Sequence, residues 1–503
     1  MTGYLVGCDL GTGGAKSIVV DLEGRVLSSH FVEYGLIIPR PGWVEQNPDW
    51  YWKAAFETIG TSIKKAKIKK EDILAVGLSS LAPACILVDK DLRPLQNSHI
   101  WMDRRATSEC EWLRKNIGEE KVFQVSGNLI DPYYSITKLM WEKNNRSDLY
   151  KKACWMLNVK DYVVGKLINK AVTDFCHAAL GGIAFDIRKR KWNKEILREI
   201  GVDEKKLPPA YPCDEVVGEV TREAASVTGL KEGTPVVAGS VDANAACLSA
   251  GVIDEGENAL TLGSTACWGM AHTTDKFIPG LICMPHIAYS RTHYISIAAL
   301  VGGGSLIRWF RDNFCHLEKI MEKELGVDAY QIINLEARKI PPGSDGLLVL
   351  PYFMGERCPL WDPEARGVIF GLSFLHTRGH LIRAMMEGVG FAIRHNISLL
   401  QKKGIKMRSP MKLVEGGAKS HLWRQIISDI TGLDTVYLGE TQGAPIGDTV
   451  MAGVGVKVFK GYEIIRNWLK PEAENRVNKK VSPIYEALFE KYMKIYPALK
   501  KLF

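Results

Sequence analysis

The stretch VGCDLGTGGAKSIVVD, residues 6–21, constrains the fold of this chain more than any other. An apolar run ends at Asp9, crosses a glycine-rich turn, and resumes as a second apolar run after Lys16. The link is too short for a crossover helix, so the two runs pair as antiparallel neighbours. A second turn at DLEGR and a further run, VLSSHFVEY, predict a three-strand meander. The turn also fails two common nucleotide motifs. A dinucleotide fingerprint needs a third glycine where Lys16 stands, and a Walker A loop needs a glycine where Ala15 stands. Both lead into a helix, whereas a strand follows here. What is left is a hairpin whose turn amides form an anion nest between a carboxylate and an ammonium. Mg-ATP suits that chemistry, with Lys16 toward phosphate and Asp9 toward magnesium through water. A tight hairpin with solvent-exposed charge is the plain alternative on this stretch alone.

A helix is predicted from Asn47, with Pro48 at its first position and Trp52, Phe56 and Ile59 on one face. ILAVGLSS follows as a buried strand. The later half repeats the scheme loosely. PVVAGSVDANAA reads as a strand and then a helix start, HYISIAALVGGGSLIRWFRDNF as strand, glycine turn and helix, and MKLVEGGAKSHLWRQIISDITG repeats that design, with Gly432 stopping the helix. Two α/β domains, 1–250 and 251–503, are the economical division. The terminal SPIYEALFEKYMKIYPALKKLF is amphipathic and predicted to dock as a helix rather than to anchor in a membrane.

Composition excludes several classes. No run approaches the roughly 18 apolar residues of a membrane span. The charge of +8 is spread along the chain without a dense basic stretch, so no nucleic-acid surface is predicted. The eleven cysteines form no CxxC pair, which removes the usual zinc and redox motifs and suits a reduced, cytoplasmic protein. Asp9 arrives before a signal-peptide core could form, in keeping with that location.

Three more glycine turns follow apolar strands, at 261–268, 300–310 and 414–423. The last two open helices, whose free amides and dipole favour phosphate or ribose oxygens. Any one of them reads as an ordinary close-packed turn. Four in one chain, with an aspartate at the first, point to a nucleotide lying across two domains.

These segments resemble the FGGY carbohydrate kinases of the actin and Hsp70-like ATPase superfamily. DLGTGGAK is similar to the family's first phosphate motif and IWMDRR to its Trp-x-Asp-x-Arg segment. DPYYSITKLMWEKNN resembles the first signature, and residues 367–388 the second; GGAKSHLWRQIISDITG is similar to the adenosine motif. The resemblance runs nearly end to end. It implies two RNase H-like domains closing a cleft, with ATP and Mg²⁺ as cofactor set and a small sugar or polyol as partner; monomer and homodimer both stay open. By motif, Thr12, Gly13, Lys16, Ser264 and Thr265 would approach the phosphates. Gly304, Arg308, Gly417 and His421 would approach the nucleotide, and Asp9 the metal. An ion-paired surface role is the alternative for Lys16 and Arg308.

The resemblance also implies that Asp242, at the end of GSVD, is the general base for a sugar hydroxyl. Locally, a helix N-cap is an equally good reading. Trp101, Asp103, Tyr133 and Trp268 match acceptor-contacting positions, with core packing as the alternative for each aromatic. Two departures bear on the acceptor. Leu81-Ala82-Pro83 replaces the Met-His-Gly of xylulokinases and the Arg-Glu of glycerol kinases, and Ala243 replaces an amide. The overall pattern is nearest xylulokinase-like members, so a pentulose or similar open-chain polyol is expected. A protein-binding ATPase switch is the rival from another class; it lacks the second signature and the DPYY segment.

Overall fold

The computed structural model describes residues 3–439 and 441–503. Strands β1 (Tyr4–Leu10), β2 (Gly14–Asp21) and β3 (Val26–Glu33) form the antiparallel meander. Helix α1 (Pro48–Ala66) begins where Asn47 accepts from the Asp49 amide, and stops at Lys67 in a left-handed conformation. It buries Tyr51, Phe56 and Ile59 against the meander, while Trp52 stays only partly covered. Strand β4 (Ile73–Ser80) lies parallel to β1 on the side away from β2. After an excursion of about 135 residues the chain returns as β5 (Val216–Glu219), β6 (Pro235–Val237) and β7 (Ser240–Val241). The sheet order is β5-β6-β4-β1-β2-β3, with β7 also on β4. β7 runs directly into α2 (Asp242–Ser249).

The second sheet repeats the plan. β8 (Asn258–Leu262), β9 (Ala266–His272), β10 (Ile282–Pro285) and β11 (Tyr294–Leu300) pair antiparallel. Helices α3 (Gly304–Phe314) and α4 (Arg378–Lys402) follow. β12 (Met411–Val414) then joins β8 in parallel. α5 (His421–Thr431) ends at Gly432, β13 (Thr435–Tyr437) extends the parallel part, and β14 (Ala473–Asn475) closes the edge. Antiparallel strands beside parallel ones, three in the first sheet and four in the second, make the doubled arrangement read loosely from the sequence.

The halves are joined by two short helices. α2 touches β8 and β9 of the second sheet, whereas α6 (Ala444–Gly455), from the far end of the chain, lies on β1 and β4 of the first. The two helices also pack on each other. Glycines set that distance. A Cβ on Gly7 would sit 2.1 Å from the Pro445 carbonyl oxygen, one on Gly77 2.2 Å from that of Asp448, and one on Gly447 2.3 Å from that of Ala245. A side chain at Gly7 or Gly77 would push α6 off the strands, and one at Gly447 would push the two helices apart, at a cost of about 1–3 kcal/mol or more for each overpacked site. The terminal helix α7 (Ser482–Leu499) docks through buried Tyr485 and Tyr492. No helix among the described residues is long and apolar enough to cross a membrane.

Candidate active site

β1 and β7 pair with β4 on opposite sides, and each delivers a carboxylate at its C-terminal end. Asp9 and Asp242 line one cavity of about 330 Å³, together with Thr12, Trp101, Tyr133, Thr261, Thr265, Cys267 and Arg357. Asp242 is the first residue of α2, and its Oδ1 accepts from the Ala243 amide at 2.6 Å. The N-cap position belongs to Val241, so capping does not account for this carboxylate. Burial, then the charge of Asp9, push the Asp242 carboxyl up to about 8. Burial likewise lifts Asp9 to about 6, against the opposing pull of the Ser79 hydroxyl and Lys16. Two half-compensated carboxylates in one cavity make a hard-oxygen donor set that suits a divalent cation.

The first hairpin holds its charges in register. Lys16 stands opposite Asp9 in the ladder, and its Nζ donates to the Gln442 carbonyl at 3.2 Å. Burial lowers its pKa. Thr12 ties the turn to the acceptor wall: its Oγ1 accepts from Trp101 Nε1 at 3.0 Å, and its carbonyl accepts from Gln46 Nε2 at 2.8 Å. Gly13 is exposed, and a Cβ there would meet nothing within 4 Å. Packing therefore does not demand glycine at this position, and open space beside the turn is left for a ligand.

A second cavity, of about 670 Å³, opens between the turn after β8, the start of α3 and the turn after β12. Ser264, Gly304, Arg308 and Gly417 line it, with Tyr330, Asn334, Met386 and Trp423 at its walls. Arg308 is exposed and makes no ion pair with the described residues, so a surface salt bridge does not explain it. Thr265 falls on the first cavity instead. The helix amides are used differently from the sequence-based expectation. Gly304 and Ser305 donate to the carbonyls of Gly263 and Ser264 at 2.7 and 2.9 Å, stitching two glycine turns together. At α5, Ser420 caps the Trp423 amide.

Five expected contacts line neither cavity: Gly13, Lys16, Asp103, Trp268 and His421. Asp103 is fully buried and accepts from the Val44 amide and from Arg105. The neighbouring guanidinium, two residues on, claims the carboxylate that the motif suggested for the acceptor. Trp268 is fully buried, with Nε1 donating to Asn258 at 3.3 Å. Strand alternation sends Cys267, not Trp268, to the cavity. His421 opens α5 exposed to solvent and does not line the second cavity, although Ser420 before it does. Tyr133 does line the first cavity, its hydroxyl donating to the Ala82 carbonyl at 3.0 Å.

Arg357 was not anticipated. It reaches the cavity from the second half, its guanidinium carbon 4.7 Å from the centre of the Trp101 ring. Its Nε is buried without a hydrogen-bond partner. Asp448, a carboxylate inside the apolar run APIGDTVMAG, was also missed; that isolation was the available signal.

Family models match both halves: the N-terminal domain of the FGGY family of carbohydrate kinases over residues 4–249, and its C-terminal domain over 258–456. The chain belongs to the FGGY family of carbohydrate kinases. It is therefore a two-domain phosphotransferase with an alcohol group as acceptor, and the fold is the actin-like ATPase fold expected from sequence. Xylulose kinase from Bacillus subtilis (strain 168) is 29% identical over 99% of this chain and 98% of its own. Gluconokinase from the same organism is 29% identical over 90% and 87%. The crystal structure of xylulose kinase from Rhodospirillum rubrum superposes with a TM-score of 0.90 at 27% identity, covering 99% of each chain.

Proposed function

We propose that this kinase transfers the γ-phosphoryl group of ATP to a hydroxyl of a small open-chain sugar or polyol, with a pentulose as the leading acceptor. The observation that carries this reading is the pair Asp9 and Asp242 on one cavity, walled by Trp101 and Tyr133. Asp242 takes the proton from the acceptor hydroxyl as its oxygen attacks the γ-phosphorus in line. The new O–P bond forms while the bond to the β,γ-bridging oxygen breaks, and ADP leaves with that electron pair. Asp9 would hold Mg²⁺, which when bound neutralises phosphate charge. Lys16, Thr12 and the open space beside Gly13 receive the phosphates of the first turn. Ser264, Gly304, Arg308 and Gly417 hold the rest of the nucleotide in the second cavity. Closure of the two halves over the acceptor excludes water and so limits idle hydrolysis. The eleven free cysteines suit a cytoplasmic setting.

A second acceptor class has its own support. Leu81, Ala82 and Ala243 on the cavity wall offer no side-chain hydrogen bonds to hydroxyls, whereas Arg357 brings a guanidinium whose buried Nε has no hydrogen-bond partner. An acceptor bearing a carboxylate, such as an aldonate, would satisfy that guanidinium. ADP release with Mg-ATP, measured against ketopentoses, tetritols, hexuloses, glycerol and aldonates, decides between them. A ketopentose with the highest kcat/KM supports the leading reading, and an aldonate supports the second. If no polyol or sugar acid stimulates release, the kinase reading of this site fails.

A further inference from the structure

Two carboxylates meet at one hydroxyl. Ser79 Oγ lies 3.1 Å from Asp9 Oδ1 and 2.8 Å from Asp448 Oδ2. A serine hydroxyl has a single proton to donate, so it cannot serve two ionised carboxylates at once. Both contacts are hydrogen bonds at once only when one of the two carboxyls is itself the donor. Asp448 is fully buried, and its other oxygen, Oδ1, has no partner. The charged and titratable groups that act on it are Asp9, Asp242 and Cys8, none of them a cation. Asp9 differs on each count: it is only half-buried, lines the cavity, and stands opposite Lys16 in the ladder.

We propose that Asp448 is a positioning residue that donates to Ser79 Oγ, turning the hydroxyl's only proton onto Asp9 Oδ1 and fixing the carboxylate that faces the cavity. Burial and the nearby negative groups hold the Asp448 carboxyl well above its usual range, in keeping with a donor. The relay runs between halves of the chain. Asp448 sits on α6, pressed so closely onto β4 that a Cβ on Gly77 would be 2.2 Å from its carbonyl oxygen. The set of Asp9 is thus fixed by a helix contributed from residues 444–455. The inference rests on the reading of Asp9 as the cation holder, and the test separates the two.

Mn²⁺ binding to the enzyme–ADP complex, followed by electron paramagnetic resonance, reads the cation site without turnover. Asp448→Ala is expected to weaken Mn²⁺ about 10–100-fold, the usual range when an outer partner of a metal-holding residue is lost. Asp448→Asn keeps a donor for Ser79 and is expected to stay within about threefold of the unmodified protein. Ser79→Ala is expected to match Asp448→Ala, with the double variant no worse, because the residues act as one unit. Asp448→Asn as damaging as Asp448→Ala would overturn the donor role. So would Asp448→Ala with unchanged Mn²⁺ affinity while Asp9→Asn loses it. An Asp9→Asn variant that binds Mn²⁺ normally overturns the reading of Asp9, and the relay with it. Should Asp448→Ala not fold, the Asp448→Asn and Ser79→Ala pair carries the same decision.

Discussion

The hairpins at residues 9–16 and 261–267 are two copies of one device with different charge. Each leaves a central strand through Leu-Gly followed by Thr or Ser, and returns antiparallel. In the first, Asp9 pairs with Lys16 across the ladder; in the second, Thr261 pairs with Cys267. The second turn is also one residue shorter, since Leu10 pairs with Ala15 but Leu262 with Ala266. The difference shows where ionic chemistry is affordable. Burial already lifts Asp9 to about 6 and Asp242 to about 8, and another carboxylate on the facing hairpin would lift both further. The second hairpin supplies hydroxyls and backbone groups and leaves the reacting charge to the first.

Several substitutions sharpen this contrast. Asp9→Ala is expected to lower kcat by about 10²–10³, whereas Thr261→Ala is expected to stay within about tenfold, both from steady-state ADP release. Comparable losses at the two positions would erase the division of labour.

The pH profile follows from the raised carboxyls. Asp242 is protonated below about 8, so kcat/KM at limiting Mg²⁺ is expected to rise with pH, about tenfold per unit below that midpoint. Added Mg²⁺ favours the ionised forms and moves the limb to lower pH. The stability sign is opposite. Folded-state values above the ordinary carboxylate range mean that the stability these groups contribute is complete below about pH 4. It is lost as pH rises through about 6 and 8. The Tm of the ligand-free protein should therefore fall across that window and recover with Mg-ADP.

Smaller effects separate the glycines. Gly13→Ala should raise the KM for ATP about fivefold with Tm unchanged, because the space beside it belongs to the ligand. Gly7→Ala should leave KM for ATP nearly intact while lowering Tm by several degrees, because its space belongs to α6.

What could be read from sequence was local. Turn chemistry and short links specify the meander, and Asn47 with Pro48 marks the start of α1, because those signals act within a few residues. The exchange of α2 and α6 between sheets is a contact between residues about 200 apart, and no periodicity reports it. Among the site residues, Trp268 and Cys267 differ by one position in a strand, and one step of register decides which of them faces the cavity. Asp103 sat in a recognisable motif, yet the guanidinium two residues later captured it. Arg357 lies in a loop whose path is set only by tertiary packing, so nothing local directs it to Trp101.

The most direct measurement is the turnover of Asp242→Asn beside its affinity for ADP. A loss of about 10²–10⁴ in kcat, with ADP affinity within about twofold, is expected if this carboxylate accepts the acceptor's proton. Turnover within tenfold of the unmodified enzyme would contradict the account.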